Sequence, residues 1–270
     1  MDKESNFIEL SNAKRIWAIG SIHSNLKSFN SVKKFILDNF NKDDKLVFLG
    51  NIVGLGVSSK ETLSSVIDLR FNLMSKFKLK PQSIVFLRGS QEEMFTKILQ
   101  LQTAPNPLEI INWMFEHGVD KTLESYGFFK NEVLNMATTG TVSISKWTTR
   151  LNQVLSENLG HKEYYLNLKH AAYSTPKKIL FVNRGVDITR PLSAQNDCFW
   201  WGYQNFSRLS QPYNTFIKIV RGYEPSLSGS LEEHKNKIVC SLFKPPINGE
   251  KIIAGVFNDS GETLELFESK

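Results

Sequence analysis

The chain has 270 residues, of which 41% are hydrophobic and 22% are charged, and its formal net charge at pH 7 is +6. A chain of this length buries enough surface to fold without disulfides or structural metals. Its two cysteines, Cys198 and Cys240, lack the spacing of a zinc site and are expected to be reduced thiols. The sequence starts without a signal-peptide pattern, and no run approaches the roughly 20 apolar residues that cross a bilayer. These features predict a cytoplasmic protein.

Three segments in the first hundred residues repeat one plan, in which a short apolar run is followed by a turn and then by a helical pattern. The helices are predicted from about Leu26, from near Ser58 and up to Leu99, and Ser58 with Glu61 fits a capping box. This alternation predicts parallel strands joined by right-handed crossovers. Ligands of such sheets bind at the carboxyl ends of the strands, so the three loops are expected to converge on one site. The apolar runs are Ile16 to Ile19, Lys45 to Leu49 and Ser83 to Leu87.

Residues from about 105 to 170 are predicted to be a helical insertion. Pro107 opens its first helix, whose buried positions are predicted to be Ile110, Ile111, Trp113 and Met114. The strand-like runs that follow predict a second, more antiparallel sheet packed on the first, within one domain of residues 1–270. These runs are Lys178 to Val182, Thr215 to Val220, Lys237 to Leu242, Ile252 to Phe257 and Thr263 to Phe267.

The three loops read GSIHSN at 20–25, GNIVGLG at 50–56 and RGSQEE at 88–93. They resemble the GDxHGN, GDxVDRG and RGNHE loops of the phosphoprotein phosphatase branch of the calcineurin-like metallophosphoesterases. WMFEHGVDKTLESYG at 113–127, FVNRGVDITRPLSAQ at 181–195 and VRGYEP at 220–225 are similar, in the same order, to segments of small bacterial members. The resemblance implies an α/β (α+β) fold, the four-layer α/β/β/α metallophosphatase sandwich, with two mixed sheets flanked by helices.

In that family two divalent metals, such as Mn, Fe or Zn, are held by two aspartates, an asparagine and three histidines, and another histidine protonates the leaving group. The acid histidine corresponds to Gln91, and of the metal ligands only His23 keeps the family's residue type. The six metal-ligand positions carry over to Ser21, His23, Asn51, Ser90, Asn183 and Tyr223.

The replacements at these positions change the charge of the implied site. Two dications held about 3.5–4 Å apart repel strongly and need anionic ligands, which a neutral serine and a neutral asparagine cannot replace. We therefore expect the phosphatase fold with no bound metal cofactor and with no catalytic residues at these positions.

Several retained residues have two interpretations. His23 is either a surviving ligand or a histidine that holds its loop by hydrogen bonds, and the second is favoured. A nucleophilic pair of Ser21 and His23 lacks an orienting acid. Glu92 and Glu93 fit carboxylates that interact with a helix dipole. Arg184 and Arg221 lie on loops that would border the site, where they either bind an anion or form surface ion pairs.

The aromatic pair Trp200 and Trp201 is predicted to be core, and the remaining histidines are predicted to lie at the surface. These histidines are His117, His161, His170 and His234.

The sequence leaves three functions open. The first is a catalytically inactive phosphatase homologue that binds a protein or an anionic ligand through the altered face. The second is a residual metal-dependent phosphoesterase that uses His23 with one weakly held metal. The third is a nucleic-acid- or ribosome-associated protein, which only the basic charge supports.

Overall fold

One five-stranded sheet carries the three predicted strand–loop–helix units. The computed structural model describes residues 6–175, 177–195, 197–202, 206, 209–226, 233, 235, 237–243 and 251–270. In the order β10-β9-β2-β3-β4, strands β2, β3 and β4 pair in parallel, and β9 is antiparallel to both β2 and β10. We call this sheet B. Its strands are β2 (Ile16–Ile19), β3 (Lys45–Phe48), β4 (Ile84–Phe86), β9 (Ile253–Phe257) and β10 (Thr263–Glu268).

The second sheet, sheet A, has the order β1-β5-β6-β7-β8 and is also mixed. Only β5 and β6 pair antiparallel, while β6, β7 and β8 are parallel neighbours. The prediction of a more antiparallel second sheet is therefore wrong, and the runs at 252–257 and 263–267 lie in sheet B, where β9 pairs with β2. Its strands are β1 (Phe7–Leu10), β5 (Ala171–Ser174), β6 (Ile179–Val182), β7 (Lys218–Arg221) and β8 (Val239–Ser241).

The helices of the described residues flank the sheets. The long helix α2 (Ser59–Phe77) is followed by Lys78, which has the left-handed φ of 52° that commonly closes a helix. The helices are α1 (Leu26–Asn39), α2 (Ser59–Phe77), α3 (Ser90–Ile98), α4 (Pro107–Glu116), α5 (Val119–Ser125), α6 (Lys130–Thr138), α7 (Thr141–Glu157), α8 (His161–Leu166) and α9 (Cys198–Trp201).

Three apolar clusters define the layers. One cluster, with Val47, Phe181 and Val220, fills the space between the two sheets. A second packs helices against the outer face of sheet B, and a third packs α9 and neighbouring loops on sheet A. Alternate residues of a strand face opposite sides of the sheet. Because each sheet contributes residues to a cluster on either side, both of its faces are apolar, as is usual for buried sheets. The predicted four-layer sandwich with two mixed sheets and outer helices is confirmed.

Local predictions had mixed outcomes. The helical segment near 107–166 and the core position of Trp200 are confirmed, whereas β1 and β5 were not predicted. Ser58 does precede α2, but its side chain makes no capping hydrogen bond. Trp113 is 42% exposed, so its predicted burial is wrong.

The histidine predictions also differ in outcome. His117 is exposed and His170 is half-buried. The prediction for His161 is wrong, because its ring is buried between the hydroxyls of Ser64 and Tyr126. His234 lies outside the described residues.

A search of the described residues for membrane-crossing segments found no helix with the required length and apolar character.

Candidate functional site

Loops from both sheets meet at the carboxyl ends of their strands. The Ser21 amide after β2 donates to the Gly222 carbonyl after β7 at 3.0 Å. The Asn183 side chain after β6 donates to the Leu49 carbonyl after β3 at 2.6 Å. The chain after β8 also comes close to the loop after β2. Glycine is required at position 20 because a Cβ there would lie 1.9 Å from the Leu242 carbonyl oxygen. The predicted convergence of the three sheet B loops is confirmed, and sheet A completes the site.

Asn51 links the three loops of sheet B. Its amide nitrogen donates to the Ser21 hydroxyl at 3.3 Å, and its amide oxygen accepts from the Ser90 hydroxyl at 3.3 Å and from the Gln91 backbone at 3.1 Å. Asn51 is fully buried. Asn51 is therefore a neutral, hydrogen-bonded connector between the three loops.

Glu92 fixes the backbone of the loop after β3 by hydrogen bonds. Its carboxylate accepts from the backbone amides of Asn51 at 2.7 Å, Ile52 at 2.8 Å and Gly89 at 3.0 Å, and from the Tyr164 hydroxyl at 3.0 Å. Burial raises the pKa of Glu92, and these hydrogen bonds oppose that shift. The helix-dipole interpretation was incomplete, because this fully buried carboxylate positions a loop 41 residues away.

Four residues without glycine's freedom hold left-handed backbone in these loops, among them Leu55 with a φ of 61°. The other φ angles are 47° at His23, 62° at Ser24 and 55° at Asn51. Left-handed backbone is uncommon for such residues, although asparagine tolerates it, and it concentrates at binding and active sites. The Glu92 hydrogen bonds and the bond from the His23 amide to the Asn51 carbonyl, at 2.9 Å, stabilise this geometry.

His23 lies in an aromatic surround. Its ring meets the rings of Tyr223 and Phe243 edge-on, with ring centroids 5.2 Å and 6.4 Å apart respectively. Both ring nitrogens are buried and have no hydrogen-bond partner in the described part of the chain, so the favoured interpretation, a ring that holds its loop by hydrogen bonds, is wrong for these residues. Burial lowers the pKa of His23 to about 4, so the ring is neutral at pH 7. The Ser21 hydroxyl does not bond this ring, so the geometry offers no activated nucleophile.

Gln91 and Asn183 each present one unsatisfied oxygen. The Gln91 amide donates to the His117 carbonyl at 2.9 Å, and Asn183 donates to Leu49, but the side-chain oxygens of both residues are buried without a partner among the described residues. Buried acceptors of this kind ordinarily bind water or a ligand.

Arg221 is buried and already paired. Its guanidinium donates to the Ser241 hydroxyl at 2.6 Å and to the Glu224 carboxylate at 2.8 Å. Burial alone would raise the pKa of Glu224, but hydrogen bonds from Ser226 and the charge of Arg221 outweigh it, and the pKa is lowered. Glu224 therefore remains charged and neutralises Arg221.

Arg184 differs from Arg221. Its guanidinium lies over the Tyr223 ring, 5.7 Å from the ring centroid, and its backbone amide is fixed by the Phe199 carbonyl at 2.8 Å. The side chain is half-buried and forms no ion pair with any described residue. The sequence left two interpretations for both arginines, anion binding or surface ion pairs. Arg221 forms an ion pair, although a buried one, and Arg184 forms none with a described residue.

The donor set of the site does not fit two divalent metals. The six carried-over positions supply hydroxyls, amides and one neutral imidazole, and the nearby carboxylate of Glu92 is used by backbone amides. In the described part of the chain no three His, Cys, Asp or Glu residues cluster as a metal site would require. Hard divalent ions favour carboxylate oxygens. We therefore derive no chemical step through bound metals.

No protein-family model and no curated protein matches this sequence. Solved structures do match. The chain superposes on a protein assigned as a diadenosine tetraphosphatase with a TM-score of 0.53 and 14% identity, covering 97% of this chain and 96% of that one. A serine/threonine phosphatase from Saccharomyces cerevisiae gives a TM-score of 0.52 and 16% identity, covering 98% and 84%.

A point mutant of a cold-active protein tyrosine phosphatase also has a TM-score of 0.52, with 13% identity over 98% of this chain and 85% of that one. At such low identity these likenesses establish the fold. The chain has the fold of the calcineurin-like metallophosphoesterases, as its sequence predicted.

Proposed function

We propose that this protein is a metallophosphatase-fold protein that binds an anionic group without hydrolysing it by two-metal chemistry. The observation that carries the proposal is the neutral, internally hydrogen-bonded cluster of Ser21, Asn51 and Ser90, where two dications would need carboxylates. The lack of an ion pair at Arg184, within the described residues, supports an anion as the ligand. The proposed ligand is a phosphate or carboxylate group, free or carried by a partner protein.

Metal binding tests the first part of the proposal. We expect no binding of Mn²⁺ by calorimetry and no manganese-dependent hydrolysis of a generic phosphoester. Manganese-dependent activity that disappears in His23→Ala would instead establish a residual hydrolase, which the unpartnered ring nitrogens of His23 favour as the second candidate.

A six-fold substitution provides the matching positive control. The variant should gain metal binding because it restores the carboxylates and imidazoles that two dications need. A folded variant that remains metal-free would contradict the assignment of the loops. Its changes are Ser21→Asp, Asn51→Asp, Ser90→Asn, Gln91→His, Asn183→His and Tyr223→His.

Anion binding tests the second part. Inorganic phosphate and phenyl phosphate should bind more weakly at high salt, because screening reduces the attraction to Arg184. Arg184→Ala should lower the affinity about tenfold, the loss of about 1.4 kcal/mol expected for a charged hydrogen bond. Arg190→Ala is the control, because Arg190 is exposed and paired with Asp187. Equal effects of the two substitutions would contradict the proposal.

A further inference from the structure

A groove opens on the helical side of sheet B, away from the loops of the candidate site. It lies between α2, the turn that joins α7 to α8, and the edge strand β4, and has a volume of about 540 Å³. A smaller cavity of about 170 Å³ adjoins it and shares Arg70, Pro81, Phe86 and Asn167 with it. Together these volumes lie in the range of small-molecule sites. We call the two cavities the Arg70 groove.

The groove has apolar walls. Ile67, Phe71 and Met74 line it from α2, Phe86 lines it from β4, and Leu159 lines it from the turn before α8. Phe71 is 47% exposed and Leu159 is 79% exposed. An apolar concavity with large exposed side chains at its margin is typical of a ligand site.

Arg70 is the single cation among the described residues that line the larger cavity. Its guanidinium lies over the Phe86 ring, 5.5 Å from the ring centroid. Its Nε is buried and has no hydrogen-bond partner, and the guanidinium forms no ion pair or hydrogen bond to any described residue. The residue as a whole is only half-buried, so the buried Nε lacks an acceptor while the charge of the guanidinium can still be reached from the groove, and an anion placed there would be favoured.

Most other arginines of the described chain do have acidic partners. Arg15 pairs with Asp44 at 2.7 Å, and Arg88 pairs with Glu93 at 2.7 Å. Arg150, Arg190 and Arg221 are paired in the same way. Arg70 shares its unpaired state with Arg184, which borders the candidate site. Arg70 is therefore the exception that lines a cavity outside that site.

The charge and shape of the groove select the class of anion. In the larger cavity one guanidinium matches one negative charge, and its planar fork fits a carboxylate through two parallel hydrogen bonds. The smaller cavity adds Lys169 to its lining, and Glu163 of the larger cavity offsets that second positive charge. Glu163 also lines the cavity and would repel a doubly charged phosphate. The apolar walls and the ring of Phe86 favour a flat apolar body attached to the carboxylate.

We propose that the Arg70 groove binds a small aromatic monocarboxylate, with its carboxylate on Arg70 and its ring against the apolar wall formed by α2 and Leu159. This ligand site is separate from the proposed function and does not depend on it. It requires no metal and no covalent step.

Calorimetry with 2-naphthoate as the probe tests the proposal on the full chain. We expect binding with a Kd below about 1 mM, and at least tenfold weaker binding of the neutral analogue 2-naphthalenemethanol, since about 1.4 kcal/mol corresponds to tenfold. Phenyl phosphate should bind this groove more weakly than 2-naphthoate. Failure of the probe to bind at 1 mM, equal binding of the neutral analogue, or tighter binding of phenyl phosphate than of 2-naphthoate by the Arg184→Ala variant would each overturn the proposal.

Substitutions locate the probe. Arg70→Met keeps the aliphatic contact with Phe86 and removes the charge, so it should weaken 2-naphthoate at least tenfold. Leu159→Ser changes an exposed side chain, leaves folding intact and should weaken the probe severalfold. Arg150→Met removes an exposed arginine of α7 that pairs with Glu132, and it should have no effect.

Circular dichroism checks that each variant is folded. If Arg70→Met proves unfolded, Leu159→Ser decides the test, and unchanged binding by that variant overturns the proposal. Because the candidate site could itself hold a carboxylate, the 2-naphthoate binding that counts is the part lost in Arg70→Met. Arg184→Ala should leave that part unchanged while it weakens phosphate binding about tenfold. Failure of the groove and failure of the proposed function can therefore be distinguished.

Discussion

The two halves of the candidate site are built differently. In the half contributed by sheet B, Asn51 and Glu92 are fully buried, and the atoms of both side chains that meet the loops are hydrogen-bonded. In the half contributed by sheet A, Arg184 makes no ion pair with a described residue and the Asn183 side-chain oxygen has no partner. Asn51 and Glu92 therefore act as scaffold, whereas groups that a ligand could satisfy come from both sheets, namely Arg184 and Asn183 from sheet A and His23 and Gln91 from sheet B.

This difference separates stability from binding. Buried groups with complete hydrogen bonds contribute mainly to stability, because their removal leaves partners unsatisfied. A half-buried cation without an acid contributes little to stability and is available to an anion. Substitutions of Asn51 and Glu92 should therefore destabilise the protein, and substitution of Arg184 should change its binding.

The largest expected effect is at Glu92. Glu92→Gln removes the charge and turns an amide group toward backbone N–H donors, so the free energy of unfolding should fall by about 3 kcal/mol. The adjacent Glu93→Gln loses only partly exposed ion pairs and should cost less than about 1 kcal/mol. Urea unfolding of both variants measures the difference. Similar losses would remove the distinction between scaffold and surface.

The next effect concerns pH. The pKa of His23 is about 4 in the folded protein and about 6.5 when unfolded, so below pH 6.5 the unfolded state takes up the proton first. Stability should fall as the pH is lowered from about 6.5 to 4 and level off below, with His23 contributing about 3 kcal/mol.

A substitution isolates this contribution. His161 and His170 have pKa values of about 4 for the same reason, burial, and titrate in the same window. We choose His23→Asn because asparagine tolerates left-handed backbone. The variant should remove only part of the slope of unfolding free energy against pH, since His161 and His170 still contribute to it. An unchanged slope would mean that His23 is accessible to protons in the folded state.

The smallest expected effect on stability is at Arg184. Arg184→Ala should change the free energy of unfolding by less than about 0.5 kcal/mol, because it breaks no ion pair and removes only one cation–π contact. The same denaturation experiment measures this change, and phosphate titration of that variant should show the loss of affinity. A loss of stability as large as that of Glu92→Gln would place both halves in the scaffold.

Local sequence patterns carried much of the fold. The three strand–loop–helix units contain their own apolar runs and glycine-containing turns, so both the strands and the meeting of their loops could be predicted. The strands β1 and β5 could not, because FIEL and AAYS are short edge-side segments without a clear alternation, and they pair across more than 160 residues.

The chemistry of individual side chains was less accessible from sequence. The identities of Ser21, Asn51 and Asn183 indicated a neutral site, since charge belongs to the residue type. The role of Glu92 depends on a loop that is distant in sequence. Arg70 has no ion pair with a described residue because the fold places no described acidic side chain close to its guanidinium. Pairing of charges is a property of the tertiary structure, and no local pattern encodes it.

The anchoring of the β3 loop by Glu92 has a consequence for how such a chain can change over time. Peptide N–H groups and the Tyr164 hydroxyl satisfy this carboxylate, so the path of the loop does not depend on an inorganic ion. Positions that face the cleft can then vary one by one while the backbone keeps its course. A fold held in this way can keep its shape when the residues that line the cleft are exchanged, and the cleft can then accept a different ligand.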